Sequence, residues 1–290
     1  MQPLDGIRIV TTAVNVPGPV AVAMLRDKGA AVVKVEPPDG DPLSRWAPQW
    51  YSELCAGAEV LAIDLKTPDA RNRLEESLAA ADLFVTSSRP ASLGRLGLAW
   101  SDLQARHPRL CHLAIVGYAA PHQDMAGHDL TYQAVAGLLT PPALPISLVA
   151  DLAGAQRAAV EALSLLFVRE RTGAAGRAEV ALADCAMLFA EPLRHGLTAP
   201  TGVLGGACAA YGIYETRDGW VTVAALEPQF REALAQALGV DVESRAALAS
   251  AFSEKSAAEW QQWAEQRDLP LCALRSSEGW QYRGRTAGIK

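Results

Sequence analysis

The sequence predicts an α/β fold, a doubly wound parallel sheet followed by a second, smaller α+β domain. Three observations lead there. Between residues 6 and 190, short β-branched runs alternate with apolar residues at helical spacing, the pattern of strand–helix–strand crossovers. A cluster of Pro, Gly and Thr interrupts the chain at residues 192–206. Past that point Asp218-Gly219 separates two β-rich runs, which reads as a hairpin rather than a crossover.

The elements follow in order. Residues 6–12 (GIRIVTT) form the first expected strand. Pro17-Gly18-Pro19 breaks the chain, residues 20–28 have helical spacing, and Gly29 ends that helix because glycine accepts the left-handed conformation of a helix terminus. Residues 31–35 (AVVKV) are the second strand. Parallel strands joined through a helix require a right-handed crossover. The pattern repeats with a strand at 60–63, a helix at 69–81 opened by Thr67-Pro68, a strand at 83–86, a helix at 101–107 and a strand at 110–116. The longest helical stretch is 151–171. Leu152, Ala155, Ala159, Ala162, Leu163 and Leu166 form its apolar face, Arg169 and Arg171 suit its last turn, and Gly173 stops it. A strand at 177–182 and a helix at 183–190 complete a Rossmann-like domain over residues 1–191. Residues 192–206 read as a linker. Residues 207–290 read as the small domain, with strands at 211–216 and 220–224 and helices at 228–238 and 256–266.

Composition narrows the function. A chain of 290 residues suffices for one large domain or two modest ones. Its net charge of -6 argues against a nucleic-acid partner, which favours a basic face. Cys55, Cys111, Cys185, Cys208 and Cys272 lie far apart with no CxxC pair, so reduced thiols in a cytoplasmic protein are expected rather than disulfides or a metal site. The opening MQPLDGIRIV lacks the basic and apolar regions of a signal peptide, and no apolar run reaches membrane-spanning length.

Two positions stand out for chemistry. His128 lies in Gly127-His128-Asp129-Leu130-Thr131-Tyr132, where a histidine beside an aspartate reads by itself as an ordinary polar pair. Asp151 opens the longest helix, where aspartate is a favoured N-cap. A carboxylate there feels the helix dipole and sits near backbone N–H groups. By themselves, Glu227 reads as a helix-start residue before Pro228, and Lys66, Arg89 and Arg95 read as solvated surface charges.

The segments PLDGIRIV, PGPVAVAMLRDKGAAVVKVEPPDGDPLSR, AIDLKTPDAR, SSRPASLGRLGL, HPRLCHLAIVGY, AGHDLTYQAVAGLL, ERTGAAGRAEVALADCAM and GGACAAYGIYETRDGWVTVAALEPQF occur in an order and spacing that resembles the family III CoA transferases (CaiB/BaiF). Within that family the chain is most similar to the α-methylacyl-CoA racemase branch. The resemblance implies a catalytic histidine at His128, which that branch carries in a GHD-x-x-Y motif, a catalytic aspartate at Asp151, and a supporting glutamate at Glu227. It implies that Gly127, Asp129, Leu130, Thr131 and Tyr132 line the same site, with Asp129 orienting it. Coenzyme A binding would fall to Asp64, Leu65 and Lys66, to Ser87, Ser88 and Arg89, and to Arg95. Lys and Arg are suited to phosphates. The chain also departs from the family pattern. Residues 51–59 (YSELCAGAE) are acidic where the family is often basic, and Pro37 replaces a common basic residue. Residues 118–126 (YAAPHQDMA) lack the usual GxGxxGP flavour, and the glycine run after Asp151 is reduced to Ala153-Gly154-Ala155. Family members continue beyond the segment matching residues 270–274 and return to the large domain.

The expected reaction is epimerisation at the α-carbon of a 2-methylacyl-CoA, with one group removing the proton from one face and another returning one to the opposite face. The alternative is CoA transfer between carboxylic acids, with Asp151 attacking the thioester. Asp151 serves both readings, and only His128 separates them. A third reading, of a different class, is a non-catalytic CoA-binding protein. The resemblance implies a homodimer, no nucleic-acid or membrane partner, and no cofactor beyond the coenzyme A carried by the substrate.

Overall fold

Six short apolar runs build the main sheet of the protein, a computed structural model that describes residues 1–275. They are β1 (Arg8–Thr11), β2 (Ala31–Glu36), β3 (Glu59–Ala62), β4 (Leu83–Thr86), β5 (Cys111–Val116) and β6 (Arg177–Ala181). All pair in parallel, in the order β3-β2-β1-β4-β5-β6. Every residue of β4 and β5 is buried, as expected where helices cover both faces. Side chains alternate between those faces. Ile9, Leu83 and Val85 join a core with the helices Pro17–Arg26 and Val149–Thr172, whereas Val10 and Phe84 join a second core with Leu74, Leu78 and Leu103. The doubly wound parallel sheet read from the sequence is therefore present. Its strand order reverses between β1 and β4, which opens a crevice at their carboxyl ends.

The helix Val149–Thr172 fixes where the site lies. In its last turns Arg169 donates to the carbonyls of Asp82 and Arg109, just before β4 and β5, and pairs with Asp82 Oδ1 at 2.8 Å. Its C-terminal end thus sits at the amino ends of the strands, so its first turn lies toward their carboxyl ends. Alanines 150, 153, 155, 158, 159 and 162 are buried along it, and their small size lets the helix Pro17–Arg26 pack closely against it. One expectation needs correction. Asp151 is not the N-cap, because the helix begins at Val149 with Leu148 as cap, and Asp151 lies inside the first turn.

The chain divides after Ala190 into two compact units. In the second, β7 (Tyr211–Glu215) and β8 (Trp220–Ala224) form the expected antiparallel hairpin, and β9 (Leu271–Ala273) adds to β8. Three helices, Pro228–Leu238, Arg245–Phe252 and Ala257–Glu265, supply its core around Trp260, whose indole donates to the Phe252 carbonyl at 2.8 Å. Glu191–Arg194 forms one helical turn that runs into the segment 192–206 read as a linker. Among the described residues no helix is long and apolar enough to cross a membrane.

One buried group on β5 predicts a pH effect. His112 stacks with Phe84 and Trp100, and its Nε2 lies 3.0 Å from Thr86 Oγ1, while Nδ1 is buried without a partner. Burial, followed by the Arg177 charge, pushes its pKa down from 6.5 to about 4. The unfolded chain therefore takes up this proton first as the pH falls. Stability is complete above 6.5 and drains away towards 4, by an amount on the order of 3 kcal/mol. Urea unfolding across that range should show a shallower pH slope for His112→Phe than for wild type. Equal slopes would contradict the assignment.

Candidate functional site

The loops leaving the carboxyl ends of the strands carry most of the residues singled out from the sequence. Ser87 follows β4, and its Oγ accepts from the Val14 N–H at 3.1 Å, drawing the loops after β4 and β1 together at the crevice. Asp64 shapes the turn after β3: its Oδ1 accepts from the Lys66 N–H at 3.0 Å and its carbonyl from the Thr67 hydroxyl at 2.9 Å. Thr67 in turn caps the helix Pro68–Ala79. Leu65 packs against the core, and Ser88 is half-buried. The side chains of Lys66, Arg89 and Arg95 are exposed, Arg89 at the N-cap of the helix Pro90–Arg95 and Arg95 bonded to Ser92 Oγ at 2.9 Å. Three cationic side chains thus stand exposed in the segments that follow β3 and β4.

Beyond β5 the chain turns into the helix Asp129–Ala136, with His128 as its N-cap residue. The His128 backbone is pinned: its N–H donates to Thr131 Oγ1 at 3.0 Å, and its carbonyl accepts from the Thr131 hydroxyl at 2.7 Å. The imidazole itself is exposed, as is Leu130. Tyr132 is buried against two glycines. A Cβ on Gly127 would lie 2.5 Å from Tyr132 Cε1, and one on Gly117 would lie 2.3 Å from its hydroxyl oxygen. Gly127 is therefore needed for packing, whatever else it does. Burial first, then the neighbouring Tyr118 and Asp151, push the Tyr132 phenol up to about 12, while Arg89 acts in the opposite direction.

Asp129 joins the two candidate catalytic positions. It is only 5% exposed, and its Oδ1 accepts from the Asp151 N–H at 3.0 Å. A first-turn amide of the long helix is thereby capped from 22 residues away in sequence. Gln133 Nε2 donates to Asp129 Oδ2 and to the Ser147 carbonyl, the latter at 3.1 Å. Asp151 is half-buried beside this carboxylate, and desolvation, followed by the Asp129 charge, raises its pKa from 3.8 to about 7. A carboxyl balanced near neutrality can take or give a proton at little cost. Glu227 lies in the second unit, exposed at the N-cap of the helix Pro228–Leu238.

Sequence reasoning missed Gln133. Its signal was a glutamine four residues after an aspartate, which places both on one helix face. It also missed the helix Asp129–Ala136 itself, since the buried face there carries Asp129 and Gln133 as well as Tyr132 and Ala136, which breaks the apolar period.

A family model, CoA-transferase family III, matches residues 4–283. The succinyl-CoA–D-citramalate CoA-transferase of Chloroflexus aurantiacus is 29% identical over 82% of this chain; the match spans 65% of that enzyme's length, less than two thirds. The human alpha-methylacyl-CoA racemase is 30% identical, over 89% of this chain and 74% of its own. A crystal structure from Mycobacterium tuberculosis, 28% identical, superposes with a TM-score of 0.82 over 96% of this chain and 84% of that one.

Proposed function

This chain belongs to CoA-transferase family III, and from that premise we propose that it is an acyl-CoA racemase acting at the α-carbon of a 2-methylacyl-CoA thioester. The observation that carries the reading is the Asp129 bridge. The residue after His128 bonds the backbone of Asp151, so an exposed imidazole and a carboxyl with a pKa near 7 stand at two helix starts joined by one buried side chain. In one direction the Asp151 carboxylate removes the α-proton, and the electron pair moves onto the thioester oxygen as an enolate. The His128 imidazolium then gives its proton to the opposite face of the carbon. Asp151 ends protonated and His128 neutral, and the reverse direction exchanges the roles. Lys66, Arg89 and Arg95 suit the phosphates of coenzyme A.

Deuterium wash-in at the α-carbon of (R)- and (S)-2-methylacyl-CoA in heavy water tests this. Exchange with both epimers is expected, and none with either at high enzyme concentration would sink the proposal. His128→Ala should lower exchange by roughly 100-fold or more, the usual scale for losing a positioned acid or base.

The second reading is CoA transfer, supported by the similarity to a CoA-transferase and by the suitability of Asp151 as a nucleophile. It predicts a covalent adduct on Asp151, trappable with hydroxylamine after incubation with acyl-CoA, and activity that survives His128→Ala.

A further inference from the structure

A buried glutamine is stable only if its amide is hydrogen-bonded, so the partners of a buried amide show what it holds in place. Gln133 is 1% exposed, and its Nε2 spends both protons on two different segments. One goes to Asp129 Oδ2, one turn earlier on the same helix. The other goes to the Ser147 carbonyl, in the loop that leads into the helix Val149–Thr172. The second oxygen of Asp129 is taken by the Asp151 N–H at 3.0 Å. Three hydrogen bonds therefore close a small ring through residues 129, 133, 147 and 151, in which the Gln133 amide ties the Asp129 carboxylate to the loop that leads into the long helix.

We infer that Gln133 is a positioning residue for the reaction, holding the Asp129 carboxylate against Asp151 and so fixing the spacing and environment of Asp151 relative to His128. This rests on the reading of Asp151 as the reacting carboxyl. The charged and titratable groups around the ring are few. Asp129 is the charge that acts on Asp151, while Tyr132 is coupled to Asp151, Asp129, Tyr118 and Arg89. The Asp129 carboxylate accepts from two neutral donors, the Gln133 side-chain amide and the Asp151 backbone N–H. Without the Gln133 donor the Asp129 carboxylate loses the bond that fixes Oδ2 and turns away from Asp151, which takes negative charge from beside that group and moves its titration towards the ordinary carboxylate range.

The test is a carbon-13 titration of the full chain with labelled aspartate, the Asp151 signal being assigned by its loss in Asp151→Asn. Wild type should titrate with a midpoint of about 7. In Gln133→Met, which keeps the length of the side chain, the midpoint should fall measurably, by about half a pH unit or more. Whichever thioester reaction the wild type performs should lose about tenfold or more in kcat, with KM changed much less. Gln133→Asn, one methylene shorter, cannot span Asp129 and Ser147 together. It should shift the midpoint the same way by less, and it stands in if the Met variant does not fold. Arg169→Met, at the far end of the same long helix, is the control: it should cost stability and leave the Asp151 midpoint in place. An unmoved midpoint in both Gln133 variants would overturn the inference. The titration is read without turnover, so a wild type inactive in both exchange and transfer would overturn the proposed function while the tether is still judged by the midpoint.

Discussion

Asp151→Asn is expected to abolish turnover and, at pH 8, to make the first unit more stable than wild type. The loss of activity should be about 1,000-fold or more, since both the proton-transfer and the nucleophilic reading route the reaction through this carboxyl. The gain in stability follows from the sign of its shift. A carboxyl raised from 3.8 to about 7 binds its proton more tightly folded than unfolded. Its neutral form fits the site, and that advantage is complete below 3.8 and is lost as the pH rises through about 7. Above that value the folded protein carries an ionised group beside Asp129, in a place that disfavours charge. The full shift corresponds to something on the order of 4 kcal/mol, part of which an asparagine loses again through its own desolvation. A net gain of about 1–3 kcal/mol would raise Tm by about 2–4 °C per kcal/mol. Between pH 8 and pH 5 the advantage of the variant should shrink by roughly 2–3 kcal/mol, because folded Asp151 becomes neutral while the unfolded carboxyl is still ionised. Calorimetry at both pH values checks this, and a variant destabilised equally at both would refute the account of Asp151.

The same carboxyl marks the boundary of what the sequence makes legible. The parallel sheet could be read because its strands are short apolar runs separated by helical periods, and such runs leave few other ways to bury themselves. β4 and β5, buried at every position, were found at nearly their true limits. His128 and Asp151 were found through a motif and its resemblance to a family, not through periodicity. What joins them was not found. Asp129 caps the long helix from another part of the chain, so the local reading of Asp151 as its own cap was natural and wrong. Gln133 was invisible for a related reason: a polar residue in a short segment reads as solvent-facing unless its partners are known, and here one of them is the carbonyl of Ser147, 14 residues away. Lys34 sits in the apolar run AVVKV, and nothing in that run shows what would compensate a lysine there. It is in fact 3% exposed, because Glu36 and Asp41 compensate its charge.

Lys34→Met is expected to be among the most destabilising single substitutions in the first unit. Lys34 Nζ bonds Glu36 Oε1, and lies 2.7 Å from Asp41 Oδ2. The side chains of the three residues are 4%, 4% and 0% exposed, so water does little to screen them. Neutral donors complete the set: the Tyr51 hydroxyl also donates to Glu36 Oε1 at 2.9 Å, the Asp41 N–H to Glu36 Oε2 at 3.2 Å, and the N–H groups of Asn15 and Leu43 to Asp41 Oδ1 at 2.9 and 3.0 Å. Removing the ammonium leaves two buried carboxylates with no cation between them. Breaking a buried ion pair in this way costs about 3–5 kcal/mol, even where the intact pair contributes little net stability. Urea unfolding of Lys34→Met should show that loss, and adding Asp41→Asn to it should recover part, because the second change removes one of the stranded charges. A loss below about 1 kcal/mol would mean that the neutral donors alone hold the carboxylates. The damage should also reach the site. Asn15 is held at a φ of 67°, a left-handed conformation that asparagine tolerates and most residues avoid, with its N–H on Asp41. Its neighbour Val14 is the one bonded to Ser87. Amide exchange in residues 12–16 should therefore accelerate more in Lys34→Met than in a variant of equal stability altered at Arg169. Equal acceleration would confine the cluster to a structural role remote from the crevice.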